Sequence, residues 1–168
     1  MTKSSAKIVL TNPKSPTNVG AVIRAAGCYQ ANEIFYTGER YQRAAKYHTD
    51  TKNMSKQIPL TAISDIVSVA NKEESLVCVD LVEGATPLPE FKHPDNAVYV
   101  FGAEDGTIEQ RVIDHADHVV YVPTIGCMNL AATVNVVLYD RLAKSTHYAH
   151  GDQLMRESRD TNNKVKIK

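Results

Sequence analysis

Polar and glycine residues gather at three places where a strand-like run hands over to a helix-like one. The first is Asn12 to Arg24 (NPKSPTNVGAVIR), the second Phe101 to Gly106 (FGAEDG), and the third Val122 to Asn129 (VPTIGCMN). Asn18 and Asn129 offer side-chain amides that both donate and accept, Glu104 a carboxylate that accepts, and Arg24 a guanidinium that only donates. Groups of this kind hold and orient a polar ligand. A nucleophile is harder to find, because Cys127 has no histidine or acid spaced beside it to activate it. Two of the loops also have a plainer reading: Glu104 as a carboxylate favouring a helix dipole, and Arg24 as a surface residue of an amphipathic helix.

The elements that must position these residues follow from the pattern of the chain. KIVLTNP (7–13) reads as a first strand, halted by Pro13, and Thr17 or Asn18 can cap a helix from Val19 to Gln30. EIFYTG (33–38) reads as a second strand. The mixed stretch from Glu39 to Pro59 has no clean period, holds Tyr41 and Tyr47, and carries five Lys/Arg between positions 40 and 56. It reads as a surface excursion with one short helix and as a place for contact with a polyanion. From Pro59, the spacing of Leu60, Ile63, Ile66 and Ala70 predicts a second crossover helix. Strands are expected near 76–82, 97–104 and 118–123, a short helix within 104–116, and a long final helix over Gly126–Leu142. Strand and helix alternate, which predicts an α/β fold with a mostly parallel sheet and helices on both faces. In such sheets ligands bind at the carboxyl ends of the strands, where all three loops lie. Residues 1–150 are expected to form one domain, and 151–168 a polar tail.

At 168 residues the chain suffices for a single core, and 43% hydrophobic with 23% charged residues is ordinary for a globular protein. No apolar run is long enough for a membrane span and no secretory leader is visible, so the sequence reads as cytoplasmic. Cys28, Cys78 and Cys127 are odd in number and lack metal-like spacing, and two have apolar sequence neighbours. Reduced thiols and no metal site are expected. Net charge is zero, yet residues 1–56 carry nine Lys/Arg against three Asp/Glu, 57–120 three against twelve, and 121–168 seven against four. Basic ends brought together would form a face able to steer a phosphate backbone. No GxGxxG opens the first helix and no GxxxxGK[ST] is present, which disfavours ordinary dinucleotide and NTPase folds.

Taken together and in order, the three loops resemble the motifs of the SpoU/TrmH family of the SPOUT superfamily, RNA ribose 2′-O-methyltransferases. NPKSPTNVGAVIRAAG places Asn18, Gly20 and Arg24 on the first motif. VFGAEDGTI places Gly102, Glu104 and Gly106 on the second, and VPTIGCMNLAATV places Pro123, Met128, Asn129 and Leu130 on the third. The resemblance spans residues 12–134. It departs from the family at Cys127 and Ala131, where serines are usual.

The resemblance implies a deep C-terminal trefoil knot, a homodimer, and S-adenosylmethionine bound in the knot cleft. It assigns the cofactor to Phe101, Gly102, Ala103, Gly106, Val122, Pro123, Gly126, Cys127, Met128 and Leu130, with backbone groups reading adenine and ribose. It also implies that Arg24 clamps a phosphate or assists deprotonation of the 2′-hydroxyl. Asn18 and Asn129 would orient the ribose and loops, and Glu104 would hold Arg24 or a loop amide. The implied partner is RNA. Transfer RNA is favoured for the minimal domain and a Tyr47-His48 pair, with ribosomal RNA and a transfer-impaired RNA-binding protein as alternatives.

Overall fold

β-Branched and aromatic runs make the strands, and the proline and glycine breaks between them set the connections. The structure, a computed structural model, describes residues 4–45, 58–159 and 164–167. In chain order its elements are β1 (Ser5–Leu10), α1 (Pro16–Cys28), β2 (Glu33–Tyr36), α2 (Arg40–Ala45), β3 (Leu60–Ala62), β4 (Ser75–Val79), β5 (Thr86–Pro87), β6 (Asn96–Phe101), α3 (Gln110–His115), β7 (His118–Tyr121), α4 (Leu130–Lys144) and α5 (Asp152–Ser158). Short 3₁₀ turns lie at Val67–Val69 and Leu88–Glu90.

The strands form one sheet in the order β3-β2-β1-β6-β4-β7-β5. Every described pairing is parallel. Side chains alternate across it. Ile8 and Leu10, Val77 and Val79, and Tyr99 and Phe101 join one core with Val19, Val22 and Ala26 of α1 and Val134, Val137 and Leu138 of α4. Val9, Leu76, Cys78, Val98 and Val100 join the opposite core with Ile66, Ile108 and Val112. Both faces are covered, as an all-parallel sheet requires.

One expected element is corrected. The segment from Pro59 is no crossover helix: Leu60–Ala62 pairs with Ile34–Tyr36 as an edge strand, and only Val67–Val69 is helical, as a 3₁₀ turn. The amide of Ile34 donates to the Pro59 carbonyl and that of Ile63 to the Tyr36 carbonyl, both at 2.9 Å. Backbone pairing with β2 thus overrides the helical spacing in a stretch rich in β-branched residues. The excursion does begin with a short helix, α2, but positions 46–57, including Tyr47 and His48, lie outside the described residues.

The final helix starts four residues later than expected, at Leu130, because Asn129 is its cap rather than part of its body. Its far end is held by a polar cluster absent from the sequence reading. His93 Nε2 lies 2.8 Å from Asp140 and its Nδ1 2.7 Å from the Tyr99 hydroxyl, while Lys144 lies 2.7 Å from Asp140. Arg141 donates to the Tyr99 hydroxyl at 3.1 Å and to the Asp95 carbonyl at 2.6 Å. These bonds tie α4 to the segment that enters β6. After α4, the short helix α5 (Asp152–Ser158) has all its residues exposed.

Candidate active site

Because β1, β6, β4 and β7 are neighbours in the sheet, the loops after their carboxyl ends converge on one edge. Three of these are the loops singled out in the sequence. The fourth, after β4, begins with Asp80. Around them lies a cavity of about 410 Å³, walled by Phe101, Gly102, Ala103 and Gly106 from one loop and Val122, Gly126, Cys127, Met128 and Leu130 from another. Nine of the ten expected cofactor positions therefore face one space; Pro123 is exposed and off the wall. Its volume is in the range of small-molecule sites.

A chain of side-chain bonds runs along the rim. Asn129 accepts from the amides of Ala131 (2.9 Å) and Ala132 (3.3 Å), satisfying the orphan donors at the start of α4. That fixes its oxygen inward, so its Nδ2 donates to Asn18 Oδ1 at 3.0 Å. Asn18 Nδ2 in turn donates to Glu104 Oε1 at 3.2 Å. Glu104 accepts also from the amides of Lys14 (3.1 Å) and Ser15 (3.3 Å). Partial burial alone would push the Glu104 carboxyl upward, but these donors and its own amide outweigh it and hold the group below the usual glutamate range. Three of the four expected catalytic residues are thus one connected unit that binds the first, second and third loops together.

Arg24 is not part of that unit. It lies on the outer stripe of α1, exposed, with no hydrogen bond or ion pair among the described residues. Glu104 holds loop amides and Asn18, not Arg24. The free guanidinium keeps all its donors for a ligand.

Asp80 escaped the sequence reading. Its Oδ1 accepts from the Leu81 amide at 2.8 Å and its Oδ2 from the Ile108 amide at 2.9 Å, and it lines the cavity. It is wedged under Gly102, where an added Cβ would stand 2.7 Å from Oδ2. Gly102 is therefore required by contact with a carboxylate rather than by its backbone angle. The signal was present as an acidic residue directly after the strand run LVCV. Tyr121, Thr124 and Thr133 also line the space.

The described cysteines are free, and only Cys78 is buried, its thiol pushed up to about 12 by desolvation first and by nearby Asp80 second. Cys28 is exposed, as is Cys127 on the cavity wall, so of the two cysteines expected in apolar surroundings the fold buries one. Among the described residues no group of His, Cys, Asp and Glu is arranged for a metal, and no helix is long and apolar enough to cross a membrane.

A parallel α/β sheet with a loop-built cavity at its carboxyl edge defines the class. The chain belongs to the SpoU rRNA Methylase family, whose family profile matches residues 5–139. Comparison with curated proteins gives no match. Among solved structures it is similar to the SpoU methyltransferase AviRb of Streptomyces viridochromogenes in complex with AdoMet, at 18% identity and TM-score 0.67. That match covers 84% of this chain and 58% of that one. The A. aeolicus TrmH/SpoU tRNA modifying enzyme is similar at 15% identity and TM-score 0.68, over 84% of this chain and 75% of that one. A structure concerned with the 2-OH methylation of C/U34 on tRNA is similar at 18% identity and TM-score 0.66, over 84% and 97%. At these identities the likeness to solved structures is one of fold.

Proposed function

We propose that this protein transfers a methyl group from S-adenosylmethionine to a ribose 2′-hydroxyl of RNA, with tRNA the favoured substrate class and rRNA the alternative. One observation carries the reading: the Asn129–Asn18–Glu104 chain locks the three family loops around a cavity of ligand size. Family membership supports RNA methylation. The AdoMet complex of AviRb supports the cofactor, and the likeness in fold to the C/U34 methylation structure, over 97% of that chain, supports tRNA.

The cavity suits the cofactor. Phe101, Val122, Met128 and Leu130 give apolar walls for a purine and the methylene groups of the methionine chain. The glycine-rich loops at Gly102, Gly106 and Gly126 bring backbone donors and acceptors to its surface. The cofactor supplies an already activated methyl group on its sulfonium. The chain has to place a 2′-hydroxyl in line with that methyl and lower the cost of losing its proton. A guanidinium stays protonated, so Arg24 serves as a clamp on the adjoining phosphate rather than as a base. Asn18 and Asn129 fix the loop geometry in which the ribose sits.

The deep trefoil knot and the homodimer belong to the same reading. The knot is supported by family membership and by the loops after β6 and β7, which line one cavity together with Leu130 at the start of α4. Pairing of two copies is supported by Arg24, which lies outside its own chain's relay, and by the exposed Tyr139 and Leu142 on α4. A cytoplasmic compartment goes with an RNA substrate. The binding-only alternative, raised by Cys127 and Ala131, is weakened by the intact relay: Asn129 holds the Ala131 amide whatever its side chain.

Incubation with labelled S-adenosylmethionine and separate tRNA and rRNA pools, followed by mapping of alkali-resistant linkages, tests the reading. Label in alkali-resistant dinucleotides is expected. Label confined to bases, or none in either pool, rules out ribose transfer.

A further inference from the structure

Lys14, Arg40 and Asp105 form an ion cluster at the rim of the cavity. Arg40 Nη1 lies 2.9 Å from both carboxylate oxygens of Asp105, and Lys14 Nζ lies 3.4 Å from Oδ2. Two cations therefore face a single anion. The remainder of the Arg40 guanidinium is committed elsewhere, with Nε donating to the Asn12 carbonyl at 3.0 Å and Nη2 donating to the same oxygen. Backbone thus fixes the position of the Arg40 charge without help from Asp105.

The cluster is open to solvent, with side-chain exposures of 53% for Lys14, 33% for Arg40 and 47% for Asp105. Exposed pairs of this kind contribute little and are screened by salt, so Asp105 is an exchangeable partner. Its location matters. Asp105 follows Glu104 on the cavity wall, and the Lys14 amide is bound to Glu104, so the cations stand one residue from the Asn129–Asn18–Glu104 unit.

We propose that Lys14 and Arg40 form a seat for an RNA backbone phosphate beside the cavity mouth, which Asp105 occupies until RNA displaces it. The proposal rests on the RNA-methyltransferase reading and deepens it. A phosphodiester presents two non-bridging oxygens, one for Arg40 Nη1 and one for the Lys14 ammonium. Its binding also releases counterions condensed on the RNA, a gain the internal carboxylate cannot supply. S-adenosylmethionine has no phosphate, so the occupant is the nucleic acid. Asp105 then acts as a competitor that keeps the two cations paired and the 102–107 loop anchored to Asn12 in the RNA-free protein. Arginine and lysine next to Asp105 hold its carboxyl below the ordinary aspartate range, so the competitor is charged at neutral pH.

The test uses the full chain with unfractionated tRNA and, separately, fragmented rRNA, measuring affinity across a series of salt concentrations. Asp105→Asn removes the competitor and leaves the phosphate count unchanged. Affinity is expected to rise about two- to fivefold, the equilibrium worth of an exposed ion pair, with the slope of log K against log[salt] unaltered. Lys14→Gln keeps the backbone bond to Glu104 and removes the cation, so affinity should fall and the slope should flatten by about 0.7–0.9. Asp105→Ser serves as a second variant should Asp105→Asn melt early. Unchanged or weaker binding by a well-folded Asp105 variant, or an unchanged slope in Lys14→Gln, overturns the seat. Wild-type protein that binds neither RNA overturns the seat and the methyltransferase reading together. Wild type that methylates RNA while the Asp105 variants bind no tighter overturns the seat alone.

Discussion

Asn129 Nδ2 donates to Asn18 Oδ1 at 3.0 Å across 111 positions of sequence, and each amide has only one orientation that satisfies its neighbours. Asn129 must turn its oxygen to the α4 amides, and Asn18 must turn its nitrogen to Glu104. A carboxylate at either position would break this order. Asn129→Asp keeps the helix cap but cannot donate to Asn18, whereas Asn129→Ala loses both. We therefore expect Asn129→Ala to cost about 0.5–2 kcal/mol of stability and Asn129→Asp far less. Both should lose on the order of 100-fold in methyl transfer through loop misplacement. Chemical denaturation beside single-turnover rates checks this, and an Asp variant with wild-type rate would remove the relay from the mechanism.

Gly102 and Asp80 make the second prediction. Any Cβ at Gly102 meets Asp80 Oδ2 at 2.7 Å, and that oxygen is already bound to the Ile108 amide. Gly102→Ala must push the carboxylate off the loop it staples. A loss of about 1–3 kcal/mol is expected, the usual cost of overpacking, together with weaker S-adenosylmethionine binding. Titration calorimetry measures the latter. Equal affinity in Gly102→Ala would mean that the wedge does not shape the cavity.

How much of this was legible beforehand depended on the range of the cause. The strands at Ser75–Val79 and Asn96–Phe101 were readable, to within a few residues of their bounds, because buried parallel strands are near-continuous apolar runs, and the one at Ser5–Leu10 was readable through the short β-branched run ahead of Pro13. The cavity positions were readable through the family resemblance. Leu60–Ala62 was misread because its pairing partner, β2, lies more than twenty positions away while its local spacing mimics a helix. Asp80 and His93 were missed because their roles are set by contacts with Gly102, Ile108, Tyr99 and Asp140, which sequence spacing does not encode.

Glu104 gives an acid-limb prediction. Its folded carboxyl lies below the ordinary value, so the unfolded chain binds more protons in that range and stability falls as pH drops. The contribution is complete above the ordinary glutamate value, about 4.3, and is lost as pH falls through the lower folded value. Glu104→Gln, which sets a side-chain amide against donor groups, is expected to cost about 1–3 kcal/mol at pH 7. The gap between variant and wild type should narrow below about pH 4. Urea titrations at pH 7, 5 and 3.5 would detect it, and a gap independent of pH would show that the charge of Glu104 is immaterial.

His93 acts near neutrality. Its side chain is 5% exposed, and desolvation lowers its affinity for a proton; the bond to Asp140 opposes this, while Arg141 and Lys144 add to it. The neutral ring donates from Nε2 to Asp140 and accepts the Tyr99 hydroxyl at Nδ1, consistent with Arg141 donating to that same hydroxyl. With its folded value below the unfolded one of about 6.5, stability should be full above that pH and decline as pH falls beneath it. Melting at pH 7.5 and 5.5 should differ more in wild type than in His93→Gln. Equal shifts would place the pH dependence elsewhere.

Arg24 supplies the sharpest separation between stability and function. It has no partner among the described residues, so Arg24→Ala should change stability by no more than about 0.5 kcal/mol, as for other exposed substitutions. S-adenosylmethionine binding should also persist, because Arg24 is absent from the cavity wall. Transfer should nevertheless fall by about 100-fold or more, since a clamp on the phosphate acts on the placement of the reacting hydroxyl. Arg24→Lys retains a point charge without the planar fork and should recover only part of the rate. Three measurements on one variant therefore decide its role: melting, cofactor titration and single-turnover transfer. A variant that loses cofactor affinity in step with rate would make Arg24 a cofactor residue, and one that keeps its rate would leave it an ordinary surface arginine.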